Sequence, residues 1–203
     1  MSDDAVQAAV DATRAGQPVI LPTDTVYGLC ASADGSEATE RLYFLKGRDP
    51  LQPSALLAAD LDALFERVPE LRGPAEAIVR ALLPGPYTLV LPNPAGRYRW
   101  LTGADPEAIG VRVPQLVGAA ARVLAQVGAV VATSANAPGG PDPARLEDVP
   151  AELRRGVAAV VDGGELPGTP STVLDFTGPE PRIVREGAAP AREAIDRVGS
   201  ALA

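Results

Sequence analysis

The sequence predicts an α/β fold. Short apolar runs bracketed by proline or glycine alternate with segments of helical period, and apolar residues make up 46% of the 203 positions. Interleaving of this kind is the pattern of strands and helices sharing one layered core. A chain of this length buries roughly 70% of the surface its unfolded form exposes, so it needs neither disulfide nor metal staple. Much of the apolar content is Ala and Val, with three Phe, four Tyr and one Trp. The core is therefore expected to be close-packed, with few aromatic anchors.

Taken in order, Asp4 to Arg14 places Val6, Ala9, Val10 and Thr13 on one helical face, and Gly16 suits a left-handed stop. Pro18 to Pro22 reads as a buried strand. Asp34 and Glu37 form a candidate capping box before a helix bearing Leu42, Phe44 and Leu45. Ser54 to Ala58 is the second expected strand, and Asp60 can cap a helix through Leu64 and Phe65. Pro74 suits a helix start ahead of Ile78, Val79, Leu82 and Leu83. Strands follow at Tyr87 to Leu91 and Ile109 to Val113, then an Ala-rich helix over Leu116 to Val127 and a strand over Ala129 to Thr133. Arg145 to Arg155 reads as helix interrupted at Pro150. Strands at Val157 to Val161, Thr172 to Phe176 and Arg182 to Val184 precede a last helix, Ala191 to Val198. The segment 137–143, with three prolines and two glycines, is a loop just after a buried strand, a favoured place for a site.

Composition removes several function classes. Histidine is absent, which excludes histidine bases and histidine metal ligands, and Cys30 is the lone cysteine, so no intramolecular disulfide or cysteine zinc site forms. The net charge of −8 argues against binding nucleic acid through a basic exterior, while leaving room for one concentrated cationic site. No 18-residue apolar span and no basic-then-apolar leader is evident, so no membrane association and a cytoplasmic address are expected. Lys46 is the only lysine among 18 basic residues, and it sits in a Lys-Gly-Arg tripeptide.

The chemistry-bearing segments are strand-to-loop transitions rich in hydroxyls, glycines and cations. Pro22-Thr23-Asp24-Thr25-Val26-Tyr27-Gly28-Leu29 offers hydroxyls, a carboxylate and a phenol; taken alone it also fits a turn that bonds its own backbone. Lys46-Gly47-Arg48 ends a helix, where cations also complement the dipole. Arg112 lies inside an apolar strand and needs an anionic partner, either an internal carboxylate or the carboxylate of an amino-acid ligand held by two parallel hydrogen bonds. Ala132-Thr133-Ser134-Ala135-Asn136 leaves a buried strand in a turn whose N–H groups can nest an anion. No GxxxxGK[ST] phosphate loop and no G-x-S-x-G elbow occurs, so nucleotide chemistry would need another scaffold.

Read together, PTDTVYGL (22–29), KGR (46–48), PGPYT (84–88), IGVRVP (109–114), ATSAN (132–136), PSTV (170–173) and REG (185–187) resemble the YrdC-like family of threonylcarbamoyl-AMP synthases, the TsaC type, over residues 18–187. The resemblance implies a single domain over 1–203, built on a twisted mixed sheet with helices around a cationic groove. It implies a nucleotidyltransferase that takes L-threonine, bicarbonate or CO2, and ATP with Mg²⁺ held mainly by the phosphates, and that serves downstream tRNA-modifying proteins, with at most a weak RNA contact.

Carried over residue by residue, Thr25, Arg112 and Ser171 would meet threonine, with the Ala132 backbone and Tyr27 beside it. Arg48, Ser134 and Arg185 would meet ATP, with Gln52 and Asn136 on the nucleotide side. Lys46 and Arg48 would be the catalytic cations, and Asp24 a supporting partner. Where many relatives carry a basic or amide residue before a proline, Gln52 keeps the hydrogen bonding but not the charge, and Ser54 departs from the larger apolar residue usual at its position. Longer relatives append a C-terminal domain that the sequence to Ala203 does not carry, so a lid from that domain is expected to be missing. Two rival readings share the fold: a non-catalytic RNA binder, and a carbamoyl-transfer enzyme with no threonine requirement.

Overall fold

The computed structural model describes residues 3–202. The chain runs α1 (Asp3–Arg14), β1 (Val19–Pro22), β2 (Tyr27–Ser32), α2 (Ser36–Lys46), β3 (Ala55–Ala58), α3 (Leu61–Arg67), α4 (Glu76–Leu82), β4 (Tyr87–Pro92) and β5 (Ala108–Arg112). It continues through α5 (Gly118–Val127), β6 (Ala129–Ser134), α6 (Ala151–Gly156), β7 (Ala159–Val160), β8 (Thr172–Asp175), β9 (Arg182–Arg185) and α7 (Ala191–Leu202). The nine strands of the described residues join one sheet in the order β7-β1-β2-β6-β3-β5-β4-β8-β9. The pairs β1–β7, β3–β5 and β4–β8 are parallel and the other neighbours antiparallel, so the sheet is mixed and flanked by helices, as expected.

Several local expectations are corrected. The strand β2 was not anticipated, because Gly28 and the Thr-Asp-Thr run ahead of it read as a loop; it pairs with both β1 and β6. The Asp34–Glu37 capping box does not form. Gly35 occupies the N-cap of α2 without a side-chain bond, and Asp34 instead pairs with Arg67. The helix expected from Pro74 begins at Glu76, the one expected from Leu116 begins at Gly118, and the strand over 157–161 shortens to Ala159–Val160. Asp60 caps α3 as expected, accepting from Ala63 N–H at 2.7 Å. Pro150 does interrupt its segment, leaving a 3₁₀ turn at Leu146–Asp148 ahead of α6.

Alternation along the strands divides the sheet into two faces. One face packs on α2, α3, α4 and α7 through Leu42, Leu64, Phe65, Val79, Leu82 and Val198, which meet Leu29, Leu56, Leu89, Ile109, Val111 and Leu174. Each such large apolar side chain contributes about 1.5–3 kcal/mol when fully buried. On the other face, α1 and α5 bring Val6, Val10, Val123 and Leu124 onto Val19, Leu21, Cys30, Leu57 and Val130. That second layer takes no residue from β5, β4, β8 or β9 among the described residues. The uncovered half of this face is where the cleft lies.

Candidate functional site

The cleft has a volume of about 400 Å³, and its floor is made of the alternate residues left bare by the second helical layer. Across neighbouring strands Ala132, Ala55, Gly110, Val90 and Asp175 stand in one register row that ends on Arg182. The four positions ahead of Asp175 are small or aliphatic, so a ligand can lie close to the sheet. The walls carry four arginines, Arg48, Arg112, Arg182 and Arg185, against two aspartates, Asp105 and Asp175. Serine and threonine hydroxyls, among them Thr88 from β4, Ser134 from β6 and Ser171 from the segment before β8, also line it.

Arg112 ends β5 with 7% exposure, and its Nη2 donates to Asp24 and to Thr25 Oγ1 (2.8 Å). Asp24 also accepts from Gln115 N–H at 3.0 Å. The internal partner that the sequence left open is thus Asp24, yet Arg112 still lines the cleft, so both earlier alternatives for this residue are available. Burial pushes its pKa down from the ordinary value, opposed by the Asp24 charge and reinforced by Arg185. Its Nε–H, like that of Arg48, is buried with no hydrogen-bond partner among the described residues. An unmet buried donor costs about 1–3 kcal/mol.

The Lys-Gly-Arg tripeptide owes its geometry to Gly47. It caps α2 at φ +65°, donating to the Phe44 carbonyl, a left-handed position that a side chain resists. The reversal leaves Lys46 inside the helix and turns Arg48 to the cleft, where its Nη2 donates to Pro53 O at 2.6 Å. Lys46 is 6% exposed, and its Nζ donates to Ser134 O and to Asn136 Oδ1 (2.8 Å). Ser134 Oγ donates to the same Asn136 oxygen at 2.7 Å, and Asn136 Nδ2 to Gly140 O at 2.7 Å. Burial first, then the charge of Arg48, lowers the Lys46 pKa from 10.5 to about 8, with Asp142 opposing.

At the opposite wall Arg185 donates twice to Ser171 O (2.8 and 3.1 Å) and once to Ser171 Oγ (3.2 Å), while Thr88 Oγ1 lies 2.8 Å from Ser171 Oγ. Gly187 makes this wall possible. A Cβ there would collide with Pro170 O and stand 2.6 Å from Ser171 O, both backbone atoms that cannot swing aside.

A family model, Sua5_yciO_yrdC, described as telomere recombination, matches residues 11–187. The chain belongs to the Sua5/YciO/YrdC family. Among its relatives, a putative threonylcarbamoyl-AMP synthase of Mycobacterium tuberculosis (strain ATCC 25618 / H37Rv) is 34% identical over 183 residues, covering 90% of this chain and 83% of the relative. The threonylcarbamoyl-AMP synthase of Pyrococcus abyssi is 33% identical over 194 residues, covering 95% of this chain and 56% of the relative. The crystal structure of P. abyssi Sua5 complexed with L-threonine superposes with a TM-score of 0.86 at 32% identity, over 96% of this chain and 57% of that one. The chain therefore spans just over half the length of the P. abyssi protein.

Within this Sua5/YciO/YrdC-family fold, the cleft brings together Arg48, Arg112, Ala132, Ser134, Ser171 and Arg185 of the residues singled out in the sequence. Thr25 is fully buried beneath Arg112, and Lys46 and Asn136 stand behind Ser134 rather than on the lining. Two residues are not brought to it. Tyr27 is fully buried, its hydroxyl 2.8 Å from Asp162 Oδ1 and from Gly164 O and accepting from Gly163 N–H, so it anchors the 162–164 segment. Burial and Asp162 push its pKa up to about 12, against the Gly163 N–H. Gln52 is exposed and off the lining; its neighbours Pro53 and Ser54 take that place. Sequence reasoning missed Thr88, Asp175 and Arg182. The first two sit in or beside quoted motifs and alternate with core residues, a signal that period 2 carried; Arg182 reaches the cleft by standing opposite Asp175 on the edge strand, a pairing that only the tertiary structure fixes.

Proposed function

We propose that the chain is an L-threonylcarbamoyladenylate synthase, a nucleotidyltransferase that joins L-threonine, bicarbonate and ATP into threonylcarbamoyl-AMP and pyrophosphate. The observation that carries this reading is the convergence of Arg48, Arg112 and Arg185, from three distant segments of an acidic chain, on one cleft. Relatives named for this reaction, and a threonine complex of a similar structure, support it.

In this reading Arg112, held by Asp24 and Thr25, takes the threonine carboxylate, with Ser171 and the Ala132 backbone beside it. Arg48, Ser134 and Arg185 face the nucleotide. Lys46 keeps the Ser134–Asn136 turn in place and adds positive charge behind it. The threonine amine attacks bicarbonate carbon; the departing hydroxide takes the amine proton and leaves as water, giving a carbamate. A carbamate oxygen then attacks the α-phosphorus of ATP in line and breaks its bond to pyrophosphate, which leaves with its charge neutralised. Such a transfer needs positioning and charge compensation more than covalent help.

Mg²⁺ enters with ATP, carried by phosphates and water. The donor set suits that arrangement. No group of three or more candidate ligands occurs among the described residues, Asp24 is held by Arg112, and Asp175 by Arg182 and Thr177. No helix among the described residues is long and apolar enough to cross a membrane, and the reading assigns the cytoplasm, with tRNA-modifying proteins consuming the product. The test is pyrophosphate release from ATP with threonine and bicarbonate omitted in turn. Release that persists without threonine overturns the assignment.

A further inference from the structure

The strand β9 departs from regular pairing at one place. Asp175 stands opposite Arg182 and Leu174 opposite Ile183, but Val173 stands opposite Arg185, so Val184 is an extra residue. A bulge of this kind re-aims the side chains that follow it. In a regular strand, residues three apart point to opposite faces. Here the bulge sets Arg182 and Arg185 on the same face, and both line the cleft. Two guanidinium groups on one wall form a fork suited to phosphate oxygens.

Arg182 is also built as an arm. Its side chain is 72% exposed, whereas that of its partner Asp175 is 8% exposed. Among the described residues only Nη2 is engaged, on Asp175 Oδ2, which leaves its other N–H groups to a ligand. The carboxylate is itself fixed, since Oδ1 accepts from Thr177 N–H (2.8 Å) and Thr177 Oγ1 (2.6 Å). Asp175 thus aims the guanidinium without exhausting it. Its position on the edge strand of the sheet, at the rim of the cleft, suits the end of a ligand that must leave.

We propose that Arg182 is a further nucleotide-binding residue, which grips the polyphosphate tail of the substrate together with Arg185 and is positioned by Asp175. The proposal rests on the synthase reading for its substrate. Isothermal calorimetry with ATP and with inorganic tripolyphosphate tests it on the intact chain. R182A is expected to weaken both ligands about 10-fold, the scale of a lost charge-assisted hydrogen bond at a wet rim, with threonine affinity within about twofold. R182K should recover part of the loss. The double variant D175N/R182A serves if the single substitution fails to fold with the carboxylate uncompensated. Unchanged ATP and tripolyphosphate affinities in a folded variant overturn the proposal, as does an equal loss of threonine affinity. A wild-type chain that binds tripolyphosphate through Arg182, yet releases no pyrophosphate with threonine and bicarbonate present, rejects the synthase reading and leaves the phosphate clamp standing.

Discussion

Replacing Arg112 by Met removes a cation that is both a buried ion-pair partner and the proposed carboxylate grip, and the two roles separate by experiment. The side chains of Arg112 and Asp24 are 9% and 11% exposed. Without the guanidinium, Asp24 keeps only the Gln115 N–H among the described residues, while Thr25 Oγ1 keeps Thr23 Oγ1 at 3.0 Å. Breaking a buried pair by removing one member costs about 3–5 kcal/mol, because the other charge is left uncompensated, and the cleft-side location places this one near 3 kcal/mol. Adding Asp24→Asn removes the stranded charge, so the double variant should be more stable than Arg112→Met alone by at least ~1 kcal/mol, a coupling that a double-mutant cycle reads directly. Urea unfolding followed by circular dichroism gives the stabilities, and calorimetry gives threonine affinity. Stability should return in the double variant while threonine binding stays weakened by roughly 10²-fold, the scale of a charged pair of hydrogen bonds. A loss below 1 kcal/mol in the single variant, or strictly additive losses, refutes the pairing. Restored threonine binding in the double variant refutes the ligand role.

Arg48→Ala is expected to slow pyrophosphate release by on the order of 10²-fold, since preorganised charge is worth several kcal/mol at a transition state; near-normal turnover removes the role. Serine should replace threonine with kcat/KM lowered by about 1–3 kcal/mol, the value of one methyl in a fitted pocket, and equal turnover of the two contradicts such a pocket. Gly187→Ala should abolish turnover, by pushing the Pro170–Ser171 backbone away, whereas Gly47→Ala, with nothing within 4 Å, should cost only about 1 kcal/mol of stability from its left-handed φ. Lys46 has a folded pKa near 8 against 10.5 ordinarily, so between those values the unfolded chain holds the proton and the folded chain does not. Stability should therefore rise with pH across that window relative to Lys46→Met, and a falling difference in urea midpoints would reverse the sign of the argument.

Much of the fold was legible because most strands are framed by proline or glycine and most helices carry a clear apolar stripe. What escaped had a physical reason in each case. The strand β2 owes its place to partners on both sides, not to its own composition, which holds Gly28 and follows three polar residues. Asp34 was read through its neighbour Glu37, but its bond goes to Arg67, thirty-three residues away, a choice that only tertiary structure makes. For the site, ordered motifs located Arg48, Arg112, Arg185 and Ser171, three of the four cleft-lining arginines among them, because strand ends deliver hydroxyls and cations to one face. They could not say which members of a motif face the cleft. Tyr27 and Lys46 fall inside the strongest segments, yet one anchors a distant loop and the other supports a turn. The partner of Arg112 lay undecided between protein and ligand until Asp24 was seen to leave the arginine on the lining.

Because neighbouring residues of β5 and β4 look in opposite directions, each strand performs two separable jobs with interleaved letters. Ile109 and Val111 answer to the helices, while Gly110 and Arg112 answer to whatever enters from solvent. Ligand preference can therefore drift through one set of letters while the other keeps the molecule folded. Inserting a single residue into β5 would exchange the two vocabularies at a stroke, driving an arginine among leucines and paving the entrance with isoleucine and valine.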